Sequence, residues 1–278
     1  MSNSKVGEPN NNLTSRASDH PAFEIISETE APYFPENWYD FATEDHFWVK
    51  WRHAVLCGQI NVLQIPLDTP WRGLDIGCGQ GIVQRQIEAL TTWRVDGSDL
   101  NRLALERSQP GRGEKFLYNI HDRREEMREA FDFLVLFDVI EHIDEPVPFL
   151  EAALFHLKPE GLVFVNVPAL SWLYSRYDRV AGHFRRYSKT SLQTELEACG
   201  ARIVAIGYWG MSLIPLLILR KVLLKFSSRS DADIIRAGFQ PPSLAIAKML
   251  TALSSLETSV FRLTPIGSSV FAVARKPA

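Results

Sequence analysis

The stretch LDIGCGQG at residues 74–81 begins within a short predicted strand, Trp71–Ile76, and leads into a segment with helical spacing, Ile82–Leu90. Its three glycines, Gly77, Gly79 and Gly81, allow a sharp turn and a close approach of the backbone to a ligand. Dinucleotide-binding turns space their glycines as GxGxxG and hold a pyrophosphate. Here the spacing is GxGxG, and the carboxylate of Asp75 would repel a phosphate. The pattern favours a ligand with a positive ammonium group and argues against a nucleotide-dependent oxidoreductase.

A second acid follows at the end of the next predicted strand, Trp93–Gly97, in the sequence VDGSD at residues 95–99. A carboxylate at this place in a βαβ unit can accept hydrogen bonds from both hydroxyls of an adenosine ribose. The alternative is a glycine-rich turn beside an unrelated surface aspartate. The two segments occur together in strand–loop–helix–strand order, which favours the binding function for Asp99.

Strands and helices alternate along the rest of the chain. The apolar runs Phe133–Phe137 and Leu162–Val167 are typical of strands buried on both faces of a sheet. This alternation predicts an α/β fold with helices on both faces of a mostly parallel sheet. The other predicted strands are Lys115–Tyr118, Arg202–Tyr208 and Ser269–Arg275, and the other predicted helices are Asn101–Ser108, Val147–Leu157 and Ser188–Cys199.

These motifs together resemble the class I S-adenosylmethionine-dependent methyltransferases. The resemblance continues through FDFLVLFDVIEHIDEP at residues 131–146 and LKPEGLVFVNVPA at residues 157–169, and it covers about residues 71–210. The segment Ser269–Arg275 resembles the last, antiparallel strand of the family. The resemblance implies a doubly wound, seven-stranded Rossmann-like sheet with helical additions before it and between its last two strands. It also implies S-adenosyl-L-methionine as the cofactor.

The resemblance assigns roles to individual positions. Asp75 and the glycine turn would hold the methionine part of the cofactor, and Asp99 the ribose. Asn119 stands where an acid or amide meets the adenine, with Asp122 as a nearby alternative. The implied cofactor-binding residues are Asp75, Gly77, Cys78, Gly79, Gly81, Asp99, Leu100, Asn119, Ile120, Phe137 and Asp138.

Candidate catalytic residues follow the two apolar strands. Glu141 and His142 lie after the first, and His183 lies in GHFRRYS at residues 182–188, which resembles a segment of one bacterial branch of the family. A histidine is suited to act as a base near neutral pH for a hydroxyl acceptor. The alternative is a structural pair in which Glu141 caps the next helix.

Two further hypotheses concern the same segments. A divalent metal site is an alternative to the base, with the candidate ligands Asp138, Glu141, His142 and His183. Arg185 and Arg186 suggest an anion clamp for the acceptor, with surface ion pairs to the helix that carries Glu195 and Glu197 as the alternative.

The chain divides into three parts by composition. Residues 1–20 predict a disordered tail, residues 21–60 an aromatic helical lid, and residues 61–278 the methyltransferase domain with an insertion at about 211–263. The apolar, basic stretch at 211–226 suggests a cap over the acceptor, a membrane-surface contact or an oligomer interface. The lid residues that we predict are Trp38, Phe47, Trp48, Trp51, Leu213, Leu216 and Leu217.

Composition excludes several classes of protein. The 278 residues include 30 Lys and Arg against 33 Asp and Glu, a net charge of −3, so we expect no nucleic-acid partner. Cys57, Cys78 and Cys199 form no CxxC pair, which argues against a disulfide framework. The polar start of the chain shows no secretory leader, and we expect a cytoplasmic protein.

The predicted function is transfer of a methyl group to a small or lipid-like acceptor. The histidines favour methylation of oxygen, in a secondary-metabolite, lipid or saccharide pathway. One alternative is carbon methylation of an isoprenoid-like acceptor. Another is a non-catalytic cofactor-binding or membrane-associated partner, against which Asp75, Asp99 and His142 argue. The sequence does not name the acceptor.

Overall fold

The computed structural model describes residues 23–28, 43–239, 243–261 and 263–278. The predicted disordered tail at residues 1–20 and the predicted lid residue Trp38 lie outside the described residues.

A single sheet organises the chain, with the strand order β1-β4-β3-β2-β5-β6-β8-β7. Among the described strands, β8 alone runs in the opposite direction, antiparallel to β6 and β7 on its two sides. The fold class is therefore confirmed, with eight strands in the described residues where seven were predicted. The additional strand β1 has two residues and forms one edge of the sheet beside β4, and it is too short for any sequence pattern to indicate it. The strands are β1 (Glu24–Ile25), β2 (Arg72–Ile76), β3 (Arg94–Asp99), β4 (Lys115–Leu117), β5 (Phe131–Phe137), β6 (Leu157–Pro168), β7 (Arg202–Trp209) and β8 (Ser269–Arg275).

The central strands are buried because their side chains face apolar layers on both sides of the sheet. In β5, Leu134 and Leu136 belong to one large apolar cluster, whereas Phe133, Val135 and Phe137 belong to another. Successive side chains of a strand point to opposite faces, so these clusters are the cores above and below the sheet. The apolar run of β5 reflects this burial on both faces.

Helices cover both faces, and most begin close to their predicted positions. The helix predicted at Ile82–Leu90 has those bounds in the structure. The helix within the predicted lid segment begins at Phe47, because the side chain of His46 accepts a hydrogen bond from the amide of Trp48 and caps the first turn. The helices are α1 (Phe47–Val62), α2 (Ile82–Leu90), α3 (Arg102–Glu106), α4 (Pro146–His156), α5 (Arg176–Val180), α6 (Lys189–Ala198), α7 (Ile214–Lys225), α8 (Asp231–Phe239) and α9 (Leu244–Val260).

The connection between β7 and β8 holds the last three helices. Trp209 at the end of β7 and Pro168 at the end of β6 both pair with Ser269 at the start of β8. Residues 210–268 therefore leave and rejoin the sheet at the carboxyl edge of the parallel strands. None of the helices within the described ranges combines the length and apolar character that crossing a bilayer requires.

Candidate active site

A cavity of about 690 Å³ opens at the carboxyl edge of the sheet. Open α/β sheets bind ligands at this edge. The cavity is lined by the loops after β2, β3, β4 and β5, by α1 and by the β7–β8 connection. All eleven predicted cofactor residues except Gly81 line it, and so do Glu141, His142 and His183. The predicted site residues are thus brought together by five separate segments of the chain.

The glycine turn after β2 is tight and leaves no room for a side chain at Gly77. Gly77 has φ +74°, and a Cβ on it would lie 2.7 Å from a methyl group of Val139. The amides of Gly77 and Cys78 donate to the carbonyl of Ser98 at 2.8 and 3.1 Å, which fixes the turn against β3. Gly81 has φ +72° and precedes the first residue of α2. It supports the turn without lining the cavity.

Asp75 supplies a buried carboxyl group to the cavity wall. Its Oδ2 has no hydrogen-bond partner in the described part of the chain. Burial raises the pKa of Asp75 to about 7, although the positive charge of Arg52 opposes the shift. A buried acceptor without a partner fits a cationic ligand group, such as the ammonium group of S-adenosylmethionine.

Asp99 joins the glycine turn to the loop after β3. Its Oδ2 accepts from the amide of Gly79 at 2.7 Å, and its Oδ1 accepts from the amide of Asn101 at 2.8 Å. Each carboxylate oxygen has a further lone pair for a ribose hydroxyl. Asn119 lines the cavity, whereas the alternative Asp122 is not among the lining residues and accepts from the hydroxyl of Ser27 at 2.6 Å.

The raised pKa of Asp75 predicts that cofactor binding depends on pH. The ammonium group favours the ionised carboxylate, so a protonated Asp75 must lose its proton on binding. We expect the Kd for S-adenosylmethionine to rise about eightfold between about pH 7.5 and about pH 6. Calorimetric titration at these two pH values measures the change in Kd. An Asp75→Asn variant should bind more weakly but with no pH dependence over this range, and an equal slope in both proteins would contradict the assignment.

Arg52 is a cavity residue that was not predicted from the sequence. The structure buries it, and its Nη1 donates to Asp138 Oδ2 at 2.5 Å. The amide of Asn166 donates to the other oxygen of Asp138 at 2.7 Å. The guanidinium carbon of Arg52 lies 5.1 Å from the ring centre of Phe137. One basic residue in an amphipathic helix carries no signal of this contact, because the partner is 86 positions away.

His183 lines the cavity and forms a hydrogen-bonded pair with Asp178. Its Nδ1 lies 3.2 Å from Asp178 Oδ1, which also accepts from Nε of Arg186 at 2.7 Å. Burial alone would raise the pKa of Asp178, but the hydrogen bond from His183 and the charge of Arg186 outweigh it and lower the pKa to about 2. An ionised carboxylate only accepts, so Nδ1 of His183 is the donor and Nε2 is left to accept a proton. No role for Asp178 was predicted from the sequence.

His142 and Glu141 complete this side of the cavity. The rings of His142 and His183 are 4.8 Å apart and nearly perpendicular. Burial and then the neighbouring His183 lower the pKa of His142 to about 4, so His142 is neutral at neutral pH. Burial and the charge of Asp138 raise the pKa of Glu141 well above its usual range. The capping alternative is wrong, because the cap residue of α4 is Glu145.

Three of the four residues suggested as metal ligands lie together. Glu141, His142 and His183 offer ligand atoms within 4.8 Å of one another, and Oε2 of Glu141 has no hydrogen-bond partner among the residues described. Two histidines and a carboxylate form a donor set that zinc accepts. Asp138 does not belong to this group, because its two oxygens hold Arg52 and Asn166.

The arginine clamp predicted after β6 is divided between two environments. Arg185 lies outside the cavity, with Glu195 at 3.8 Å and Asp144 at 3.6 Å, as in the surface alternative. Arg186 lines the cavity, but the buried Asp178 already neutralises it. The two side chains therefore do not form one clamp.

The two segments proposed as a lid both border the cavity. Phe47 and Trp48 of α1 line it, as do Leu213, Leu216 and Leu217 of the β7–β8 connection. Trp51 does not, which corrects its predicted position. Its ring lies 5.5 Å from that of Trp209 within the buried cluster that also includes Leu250 of α9.

Comparison with known proteins identifies the class. The methyltransferase domain family matches residues 48–206, more than half of the chain. The chain belongs to this family, with the fold of the class I S-adenosylmethionine-dependent methyltransferases and S-adenosylmethionine as its cofactor.

Curated relatives include two proteins named ubiquinone biosynthesis O-methyltransferase. The one from Neisseria meningitidis is 30% identical over 124 residues, 41% of this chain and 46% of that protein. The one from Parvibaculum lavamentivorans is 31% identical over 98 residues, 34% of this chain and 39% of that protein. The matches thus span less than half the length of these relatives.

A solved structure with the same fold is phosphoethanolamine N-methyltransferase 2 of Haemonchus contortus in complex with S-adenosylmethionine. The TM-score is 0.54 at 19% identity, over 87% of this chain and 60% of that chain.

Proposed function

We propose that this protein transfers the methyl group of S-adenosylmethionine to an oxygen atom of a lipid-like acceptor. The observation that carries the proposal is the pair of His183 with the ionised Asp178, which faces the same cavity as Asp75 and the glycine turn. Methylation of a hydroxyl requires removal of its proton, and a histidine held by a carboxylate is suited to remove it.

The methyl group on a sulfonium is already activated, so the protein mainly aligns the reactants and excludes water. Asp75, Asp99 and the glycine turn hold the donor in place. Nε2 of His183 accepts the proton of the hydroxyl, and Asp178 stabilises the resulting positive imidazole. The neutral His142 borders the acceptor and can donate or accept a hydrogen bond to orient it.

The wall opposite the glycine turn supports a lipid-like acceptor. We propose that the segment 21–60 and the insertion 211–263 form a lid over the acceptor site of the domain at 61–278. Phe47 and Trp48 from the first segment and Leu217 from the second give this wall an apolar surface. The names of the curated relatives, ubiquinone biosynthesis O-methyltransferase, support a lipid-like acceptor as well.

The outer face of α7 supports contact with a membrane surface. Leu219, Leu223 and Phe226 are 53%, 60% and 81% exposed, and Lys225 is also exposed. An apolar face bordered by basic residues is typical of helices that lie in the interface of an anionic bilayer. Such a position would place the cavity beside its acceptor.

Methyl transfer from a deuterated donor tests the proposal. The protein is incubated with S-adenosylmethionine carrying a trideuterated methyl group and with vesicles made from a bacterial lipid extract. We expect a labelled lipid whose deuterated methyl group is released by hydroiodic acid, which cleaves methyl ethers. A label that resists this cleavage would show methylation of carbon or nitrogen instead of oxygen, and a lipid fraction without label would contradict the proposal.

A double variant, Leu219→Asp with Leu223→Asp, separates membrane contact from catalysis. Two charges on the exposed face should prevent insertion into the interface. We expect the double variant to methylate the acceptor in vesicles more slowly than the unchanged protein does. With detergent-solubilised acceptor, the two proteins should react at the same rate.

A further inference from the structure

Arg220 brings a positive charge to the acceptor side of the cavity. It lies on α7 and lines the cavity together with Tyr177. Its guanidinium carbon is 3.9 Å from the ring centre of Tyr177, which is buried. Stacking on an aromatic face restricts the plane of a guanidinium group and leaves its edge for a ligand.

The other arginines of the cavity have acidic partners, and Arg220 differs from them. Asp138 neutralises Arg52, and Asp178 neutralises Arg186. In the described ranges, no carboxylate lies within 4.0 Å of the guanidinium of Arg220, since Asp231 on the following helix pairs with Arg176. Burial lowers the pKa of Arg220, and so does the charge of Arg186, whereas Tyr177 and the charge of Asp178 oppose the shift. A half-buried charge of this kind is stabilised by an anion.

We propose that Arg220 binds an anionic group of the acceptor, a carboxylate or a phosphate, and so selects acidic acceptors. The inference rests on the proposed methyl transfer, because it assigns a head group to the acceptor of that reaction. The planar guanidinium can bind two oxygens of either group at once. The anion site therefore differs from the predicted pair Arg185 and Arg186, since it lies on the insertion and not after β6.

Two matched pairs of small probes test this inference by binding alone. The protein, loaded with S-adenosylhomocysteine, is titrated calorimetrically with 4-hydroxybenzoate and its neutral amide, and with phenyl phosphate and phenol. We expect the anion of at least one pair to bind about tenfold more tightly than its neutral partner. The pair with the larger difference identifies carboxylate or phosphate. Equal binding within both pairs, including no detectable binding, overturns the proposal.

Arg220→Met should remove this preference for the anion. Lys225→Met is the matched control, because it removes the same charge from the exposed face of the same helix. We expect the control to keep the preference. A preference that persists in Arg220→Met overturns the proposal. Binding of S-adenosylhomocysteine shows that each variant is folded, and Arg220→Gln replaces the methionine variant if that one fails to bind it.

The test is independent of the proposed function. Anion selectivity that depends on Arg220, in a protein that transfers no methyl group, would contradict the proposed function alone. Transfer to a neutral acceptor, with no selectivity between the probes, would contradict this inference alone.

Discussion

Replacing His183 by asparagine should lower the rate of methyl transfer by about 10²- to 10⁴-fold, the usual contribution of a general base. The asparagine amide can still donate to Asp178, so the buried carboxylate keeps a partner. Because His183 lies on the acceptor side, the Kd for S-adenosylmethionine should stay within about twofold of its original value. Single-turnover rates and calorimetry on the same preparation measure the two quantities.

His121→Asn is the matched control, since His121 is exposed and is not among the residues that line the cavity. It should leave both quantities unchanged. If His183→Asn retains full turnover, the base is another group.

The same assay distinguishes a base from a metal ligand. As a base, His183 works in the presence of EDTA. If Glu141, His142 and His183 instead hold a cation, EDTA should abolish turnover and added zinc should restore it.

Replacing Asp99 by alanine should weaken the binding of S-adenosylmethionine by about 2–4 kcal/mol, or about 30- to 900-fold. The change removes the acceptor for the ribose hydroxyls. It also removes the partner of the amides of Gly79 and Asn101, which loosens the turn on the methionine side. Calorimetric titration with S-adenosylmethionine gives the loss directly.

Asp122→Ala provides the comparison for Asp99. The carboxylate of Asp122 accepts a hydrogen bond from Ser27 and does not line the cavity, so this variant should bind S-adenosylmethionine as the unchanged protein does. Equal affinity in Asp99→Ala and the unchanged protein would remove Asp99 from the binding site. A large loss of affinity in Asp122→Ala would indicate that Asp122, and not Asn119, contacts the adenine.

The cofactor side of the cavity could be predicted because its parts are local in sequence. The glycine turn, Asp75 and Asp99 occupy one βαβ unit, in which strand, turn and acid follow each other at fixed spacing. The backbone itself requires glycine at Gly77, where a Cβ would meet Val139. Requirements of this kind can be recognised in the sequence.

The acceptor side could be predicted only in part, because its contacts join distant segments. The partner of Arg52 is Asp138 and the ring below Arg220 is Tyr177, and neither pairing has a local pattern. Trp51 shows the same limit: helical periodicity placed it on the apolar face of α1 but did not indicate whether that face meets the core or the cavity.

The antiparallel strand β8 has a consequence for how this protein can change over evolution. Because β7 and β8 form a hairpin at the carboxyl edge, the chain between them can lengthen without shifting the register of any parallel strand. The entropy cost of closing a loop grows only with the logarithm of its length, about 2 kcal/mol for a tenfold extension. The connection at residues 210–268 can therefore change in length at little cost in closure entropy, provided that a replacement again covers the buried cluster to which Leu213 and Leu250 belong. New acceptors become accessible by replacing one connection, while the strands and turns that bind S-adenosylmethionine stay as they are.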